Sequence, residues 1–238
     1  MASASPGDAA FEAESVDSFA ELGITAFTTG RAAGSFGTQS DEPVRDVLGR
    51  WSTLRQRLGG ARLATAAQVH GDTVLEHHPG WEGWLRGDAA DGHLALARGT
   101  AMAVTIADCV PVFIAHASGA AAILHSGWRG TAARITDKAI RRFEACGIPA
   151  SELHVHCGPA ICGRCYEVSA SVALQLTGRD PGRAVTVDLR DLITSGARTL
   201  GVRYVSSSSY CTRHDNDRFF SHRAGDAGRQ LGVILARA

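Results

Sequence analysis

The sequence predicts a single α+β domain, a mixed β-sheet core flanked by helices. Three observations lead there. Strand-like and helix-like segments are interspersed without the regular alternation of a doubly wound fold. Short apolar runs joined by small-residue turns read as hairpin-like pairs. A chain of 238 residues with no internal repeat or low-complexity linker is long for one core and short for two.

The elements follow in order. Residues 1–15 are expected to form a flexible tail and 16–238 the domain. Residues 24–29 (Ile-Thr-Ala-Phe-Thr-Thr) read as a first strand that ends in the glycine-dense loop 30–37. Val44, Val47, Leu48, Trp51, Leu54 and Leu58 recur at helical spacing, and Gly59-Gly60 stops that helix. Strands are expected at 63–69 and 73–76, and an ordered loop rich in Gly, Trp and Asp at 77–92. Trp81 and Trp84 pack that loop or line a lid.

The run 101–107 reads as a buried strand broken at Asp108-Cys109-Val110-Pro111, followed by strands at 112–115 and 121–124 around a small-residue turn. A helix is expected over 131–145, and a strand over 153–157. Further helices are expected at 166–176 and 188–200, with Asp188 as cap, and further strands at 202–205 and 231–236.

Composition excludes some classes of function. Hydrophobic residues make up 45% and charged residues 20%, an ordinary globular balance. Lys+Arg and Asp+Glu are equal at 24 each, so no overall field draws nucleic acid or an anionic membrane. Lys138 is the only lysine, so an anion contact falls to arginine, which grips phosphate as a planar fork. No apolar run is long enough for a bilayer, and the start lacks the basic and apolar regions of a signal peptide. Six cysteines in such a chain are expected as reduced thiols in the cytoplasm.

The chemistry concentrates on His70, Cys109 and His125. Two imidazoles and a thiolate are borderline-soft ligands that suit zinc rather than copper, and three protein ligands leave a position open. Alone, each has a bland reading: a polar loop histidine, a small buried hydrophobe. Context changes that. Asp108 and Pro111 interrupt an apolar run where a sheet core has no use for a carboxylate. His125 opens His-Ser-Gly-Trp-Arg-Gly, whose glycines admit a close ligand and whose following helix offers amides to an anion.

Other motifs are weaker. Cys157, Cys162, Cys165 and Cys211 fit a plant-type iron–sulfur spacing, and Cys162-Gly-Arg-Cys165 a redox pair, against packed thiols as the ordinary alternative. His154 and His156 share one face of a strand, expected to be a solvated or satisfied one. His77, His78, His93 and His116 are expected at the surface. Phe219-Phe220 reads as buried, with Ser221, His222 and Arg223 forming a rim. Arg223 or Arg129 is a phosphate clamp or an interior ion pair.

Five motifs occur in order: Gln68-Val-His-Gly71, Ala107-Asp-Cys-Val-Pro-Val112, His125-Ser-Gly-Trp-Arg-Gly-Thr131, Gly158-Pro-Ala-Ile-Cys-Gly-Arg-Cys-Tyr-Glu-Val168, and Phe219-Phe-Ser-His-Arg223 with Gly228-Arg-Gln230. Together they closely resemble the YfiH-like laccase-domain family, also named for multicopper polyphenol oxidase or purine nucleoside phosphorylase activity. The resemblance runs from about residue 20 to the C-terminus. It implies a mixed α+β fold sharing its core with a cysteine-hydrolase toxin domain, and metal ligation by His70, Cys109 and His125.

It also implies phosphorolysis of adenosine, inosine, guanosine and methylthioadenosine, adenosine deamination, or editing of a peptidoglycan precursor. One three-ligand site does not hold a multicopper centre. The sequence departs from the family pattern at Thr29-Gly-Arg-Ala-Ala-Gly-Ser35, in lacking an Asn-Leu-Gly stretch after it, and at Ser126, usually alanine.

The leading expectation is a cytoplasmic Zn2+ enzyme acting on purine nucleosides and phosphate. Asp108 and Cys109 are its catalytic candidates, and Arg129 and Arg223 its substrate-binding ones. The alternatives are a metal-free cysteine hydrolase, with Cys109 as nucleophile and His125 as base, and a non-catalytic binding protein.

Overall fold

Alternating apolar positions on three central strands generate the architecture. The computed structural model describes residues 11–38 and 42–238. In chain order it runs β1 (Glu12–Ser15), α1 (Asp17–Ala20), β2 (Ile24–Thr29), α2 (Val44–Arg57), β3 (Arg62–Ala66), β4 (Val74–His77), β5 (Trp84–Gly87) and β6 (Gly92–Ala95). Then come β7 (Thr100–Ile106), β8 (Val110–Ala115), β9 (Ala121–Ser126), α3 (Trp128–Ala132), α4 (Ile135–Ala145) and β10 (His154–Cys157). The rest is β11 (Glu167–Val168), α5 (Ala170–Thr177), β12 (Val185–Thr186), α6 (Leu189–Thr199), β13 (Tyr204–Ser207) and β14 (Gln230–Ala236).

Two six-stranded mixed sheets form, in the orders β1-β2-β14-β7-β3-β5 and β13-β10-β8-β9-β6-β4. They face each other. Met102, Val104 and Ile106 of β7 and Ile234 of β14 meet Phe113 of β8 and Ile123 of β9 in one buried cluster. The intervening residues point outward, because side chains alternate along a strand. Ala101 and Ala103 of β7 with Val233 and Leu235 of β14 receive Val47, Trp51 and Leu54 of α2. Val110, Val112 and Ile114 of β8 receive Ile135, Ile140 and Phe143 of α4 and Ile193 of α6. The layers are helix, sheet, sheet, helix, and strands buried on both faces read as unbroken apolar runs. At Gly232 the sheets approach closely: a Cβ there would lie 2.9 Å from Pro111 Cβ.

The α+β class and the flanking helices stand as the sequence predicts, with the mixed sheet built as two. Of the expected tail, residues 1–10 lie outside the described residues. Glu12–Ser15 instead pairs antiparallel with β2. The expected loop 77–92 contains β5, where Trp84 stacks on Trp51 at 5.0 Å and donates to Thr65 Oγ1, so Trp84 packs on the sheet and forms no lid. The helix expected over 131–145 divides at Arg134, which takes a left-handed conformation (φ 60°) between α3 and α4. The segment 166–176 gives β11 before α5, because Tyr166 and Val168 are drawn into a small hairpin-like sheet with β12. Asp188 caps α6 as expected, accepting from Arg190 N at 3.0 Å. His77 and His93, expected at the surface, are buried and face each other at 2.9 Å between ring nitrogens. Among the described residues no helix is long and apolar enough to cross a membrane.

Candidate metal centre

His70, Cys109 and His125 converge where three chain segments leave the two sheets. His70 lies in the loop after β3, Cys109 in the turn from β7 to β8, and His125 near the end of β9. One donor atom from each falls within 4.8 Å of the others. The two imidazoles meet edge to face, with centroids 4.8 Å apart. His70 is exposed, Cys109 half-buried and His125 buried, so the group opens to solvent on the His70 side. Gly127 leaves room for the thiol: a Cβ there would lie 2.8 Å from Cys109 Sγ and 3.5 Å from His70 Cδ2.

The residue that organises the trio is Asp91, which falls within the expected loop 77–92. It is fully buried just before β6. Its carboxylate accepts the backbone amides of Val69, His70 and Gly71 at 3.1, 3.0 and 2.7 Å, and its Oδ1 lies 2.7 Å from His125 Nδ1. Three consecutive amides aimed at one anion form a nest, which ends β3 early and turns the chain. His70 thereby takes a left-handed backbone (φ 59°), costing about 1–3 kcal/mol that the nest offsets. With Nδ1 engaged, His125 presents Nε2 to the centre, the carboxylate–histidine arrangement of metal sites. Burial opposes ionisation of Asp91, but the bonds from His125, Gly71 and Val69 win and hold its carboxyl below the usual range.

The same balance favours a charged pair beside it. Burial would raise the Cys109 thiol, yet His125 and His70 pull it down to about 6. Burial would discharge His125, yet Cys109 and Asp91 raise it to about 9. Each partner therefore favours the charged form of the other.

Asp108 also has a left-handed backbone (φ 81°). Its Oδ1 accepts from Thr212 Oγ1 and its Oδ2 from Arg223 N, both at 2.6 Å. Its carbonyl accepts from Ile161 N at 3.0 Å. The turn that carries Cys109 is thus tied to two distant loops.

Tyr166, expected only as the start of a helix, joins the rim. Burial pushes its hydroxyl up to about 12, and the negative charges of Cys109 and Asp108 add to that. Arg223 lies 5.2 Å over the Tyr166 ring and donates to the Glu167 carbonyl. Arg129 is exposed and lies 4.3 Å over the Trp128 ring. Among the described residues neither arginine forms the interior ion pair considered for it. The helix expected to offer amides to an anion is here the five-residue α3.

The remaining sequence candidates divide. Cys157 packs in the core, burial pushes its thiol up to about 12, and among the described residues it belongs to neither group of converging donors. Cys162, Cys165 and Cys211 do converge, with His214 as an unanticipated fourth member. Its signal was present in Cys211-Thr-Arg-His214, a third spacing beside the two cysteines. His154 stacks on Tyr204 at 4.2 Å and His156 Nδ1 lies 2.8 Å from Ser206 Oγ, but the buried His156 Nε2 has no hydrogen-bond partner and faces Glu14 Oε2 at 3.9 Å, so the strand face is satisfied only in part. Phe219 and Phe220 are buried as expected. A cavity of about 560 Å³ beside α2, lined by Arg45, Arg50 and Phe11 among others, shares no residue with the trio.

The fold and this site define an α+β protein with a candidate three-donor centre at the seam of two facing sheets. The chain belongs to the family described as multi-copper polyphenol oxidoreductase laccase, whose profile matches residues 29–237. It is 30% identical over 207 residues to a Streptomyces griseus protein named purine nucleoside phosphorylase ORF3, covering 83% of this chain and 84% of that one. It is 31% identical over 229 residues to a Deinococcus radiodurans purine nucleoside phosphorylase, covering 88% and 87%. Among solved structures, YlmD from Geobacillus stearothermophilus superposes with a TM-score of 0.84 at 25% identity, covering 91% of this chain and 93% of that one. The Bacillus licheniformis hypothetical protein YfiH has the same fold, with a TM-score of 0.84 at 21% identity and coverage of 94% and 96%.

Proposed function

We propose that this chain is a zinc-dependent enzyme of the purine nucleoside phosphorylase type, with its metal on His70, Cys109 and His125. The observation that carries the reading is the convergence of those three donors around a buried Asp91 that orients two of them. Two imidazoles and a thiolate fit a single borderline-soft ion with one open position. They do not fit a multicopper centre, for which this site has too few donors. When bound, the metal supplies Lewis-acid polarisation of a substrate heteroatom.

In phosphorolysis a phosphate oxygen bonds to the ribose anomeric carbon while the bond to the purine nitrogen breaks. The purine leaves with that electron pair and takes up a proton. Arg223 and Arg129 at the rim are the cations that hold phosphate as a planar fork. Asp108 anchors the Arg223 backbone and the Cys109 turn together, and as the residue preceding Cys109 it is the candidate carboxylate for proton transfer. Tyr166 is held neutral beside them and offers a hydroxyl to the substrate. The same open position is suited to adenosine deamination, with water as nucleophile. The proposed substrates are adenosine, inosine, guanosine and methylthioadenosine.

The second reading, a cysteine hydrolase, is favoured by one observation: Cys109 and His125 lie close together, the imidazole drawing the thiol down and the thiol and Asp91 raising the imidazole. The two separate on metal dependence. Purified protein stripped by chelator is assayed for base release from inosine, then reloaded with zinc. The phosphorylase reading expects loss and recovery. Activity that rises on stripping, and falls when Cys109 is alkylated, defeats it in favour of the hydrolase.

A further inference from the structure

Cys162, Cys165, Cys211 and His214 take no part in the trio, yet their donor atoms lie within 4.8 Å of one another. They come from two loops that meet in parallel through a bridge between Ala160 and Cys211. Cys162 and Cys165 form a tight turn in which the amides of Cys165 and Tyr166 both donate to the Cys162 carbonyl, at 2.9 and 3.0 Å. From the second loop, His214 Nε2 lies 3.1 Å from Cys165 Sγ, and its Nδ1 3.8 Å from Cys162 Sγ. The Cys162 amide donates to Cys211 Sγ at 3.3 Å, which ties the first loop to the second.

The scaffold holding these sulfurs does not depend on contacts among them. Gly163 N donates to Asp188 Oδ2 at 2.9 Å, Cys211 N to Asp215 Oδ2 at 2.8 Å, and Thr212 N to Ala160 O at 3.2 Å. One donor atom from each of the four lies within 4.8 Å of the other three, a span that small side-chain adjustments close around a single tetrahedral ion with bonds of about 2.3 Å to sulfur and about 2.0 Å to nitrogen. Burial alone gives packed thiols no reason to gather an exposed histidine from another loop. A disulfide would use two of the four groups and strand the others.

We propose that Cys162, Cys165, Cys211 and His214 form a second, structural zinc site that clamps the two loops walling the first. Four protein donors leave no open position, which is the mark of a structural centre. The three thiols bind as thiolates, so loading releases their protons to solvent. The clamp is joined to the trio through Asp108: the first loop gives Ile161 N to its carbonyl, and the second gives Thr212 Oγ1 to its carboxylate. Tyr166 directly follows Cys165 and carries the position of the clamp to the rim.

The proposal stands apart from the chemistry assigned to the trio, and its test avoids activity. Cys109→Ala removes a trio ligand and leaves the clamp. The full-length variant, reconstituted with zinc and desalted, is measured by elemental analysis and zinc X-ray absorption. The expected result is one equivalent per chain in an environment of three sulfurs and one nitrogen, with no visible absorption band. His214→Ala changes an exposed side chain and keeps the core. It is expected to bind one equivalent fewer than wild type and to melt lower in zinc, with its Tm close to that of stripped wild type. Retention of no zinc by Cys109→Ala, a visible iron–sulfur band, or an intact mass showing a disulfide among the three cysteines would overturn the proposal. So would identical zinc content in His214→Ala and wild type.

Discussion

Asp91 holds His125 through a 2.7 Å contact to Nδ1 while the same carboxylate collects the amides that place His70. One buried anion therefore fixes the ring of one donor and the backbone of another. Asp91→Ala leaves three amides and an imidazole nitrogen without their acceptor. Breaking a buried charged network costs about 3–5 kcal/mol, and loss of a carboxylate behind a ligating histidine weakens metal binding about 10–100-fold. Chelator competition and urea melts check both. Wild-type zinc affinity in a folded Asp91→Ala protein would show that the trio is not the metal site.

Gly127 separates fold from site. Its backbone is extended (φ −78°, ψ −176°), so any residue adopts it without strain. The three nearest neighbours of the added Cβ of Gly127→Ala all belong to trio side chains: Cys109 Sγ at 2.8 Å, His70 Cδ2 at 3.5 Å and Cys109 Cβ at 3.8 Å. The expected outcome is a cooperative melt within about 1–2 kcal/mol of wild type, in the usual range for overpacking. Zinc at the trio falls by at least one order of magnitude in affinity, as read by chelator titration.

The buried His77–His93 pair sets an acid limit. Burial, with His77 adding to it, pushes His93 down to about 3 from 6.5. Between those values the unfolded chain binds a proton that the folded one does not, so stability falls as pH drops below about 6.5. One such group sets a slope of at most about 1.4 kcal/mol per pH unit. Urea denaturation at stepped pH is expected to show that limb in wild type and a shallower one in His93→Leu. Equal slopes would remove His93 from the account.

Thr212 donates to Asp108 at 2.6 Å and marks the joint between clamp and rim. Thr212→Val keeps the shape and removes the donor, which costs about 1–3 kcal/mol for a buried acceptor left short. Because Asp108 then holds Arg223 N less firmly, KM for phosphate is expected to rise several-fold with kcat changed less. Steady-state kinetics against phosphate decides; a fall in kcat alone would place Asp108 in the chemical step.

What was legible in the sequence was what local pattern carries. The strands at 101–107 and 112–115 announced themselves because both their faces are buried, and Asp108-Cys109 stood out as polar residues breaking that run. The trio was visible for the same reason. Asp91 was not, because its role depends on a contact across the sheet to His70 and His125, and an Asp before Gly-His-Leu-Ala looks like any loop residue. His77 and His93 looked like surface residues because only the parallel pairing of β4 with β6 brings the two rings together, and neither residue sits in a local apolar pattern. His214 was hidden likewise: Cys162 and Cys165 suggested a metal or redox motif, but the fourth donor arrives only through the bridge between Ala160 and Cys211. The division at Arg134 was invisible because its side chain is an ordinary helix former and only its backbone departs.

The most direct test of the function proposed for the trio is a product balance on the zinc-loaded enzyme. Inosine and adenosine are incubated with and without inorganic phosphate, and free purine, ribose 1-phosphate and free ribose are quantified by chromatography. The account predicts purine release that requires phosphate, with ribose 1-phosphate formed mole for mole and lost in His70→Ala and Cys109→Ala. Purine released equally without phosphate, or equal turnover in wild type and both variants, would contradict it.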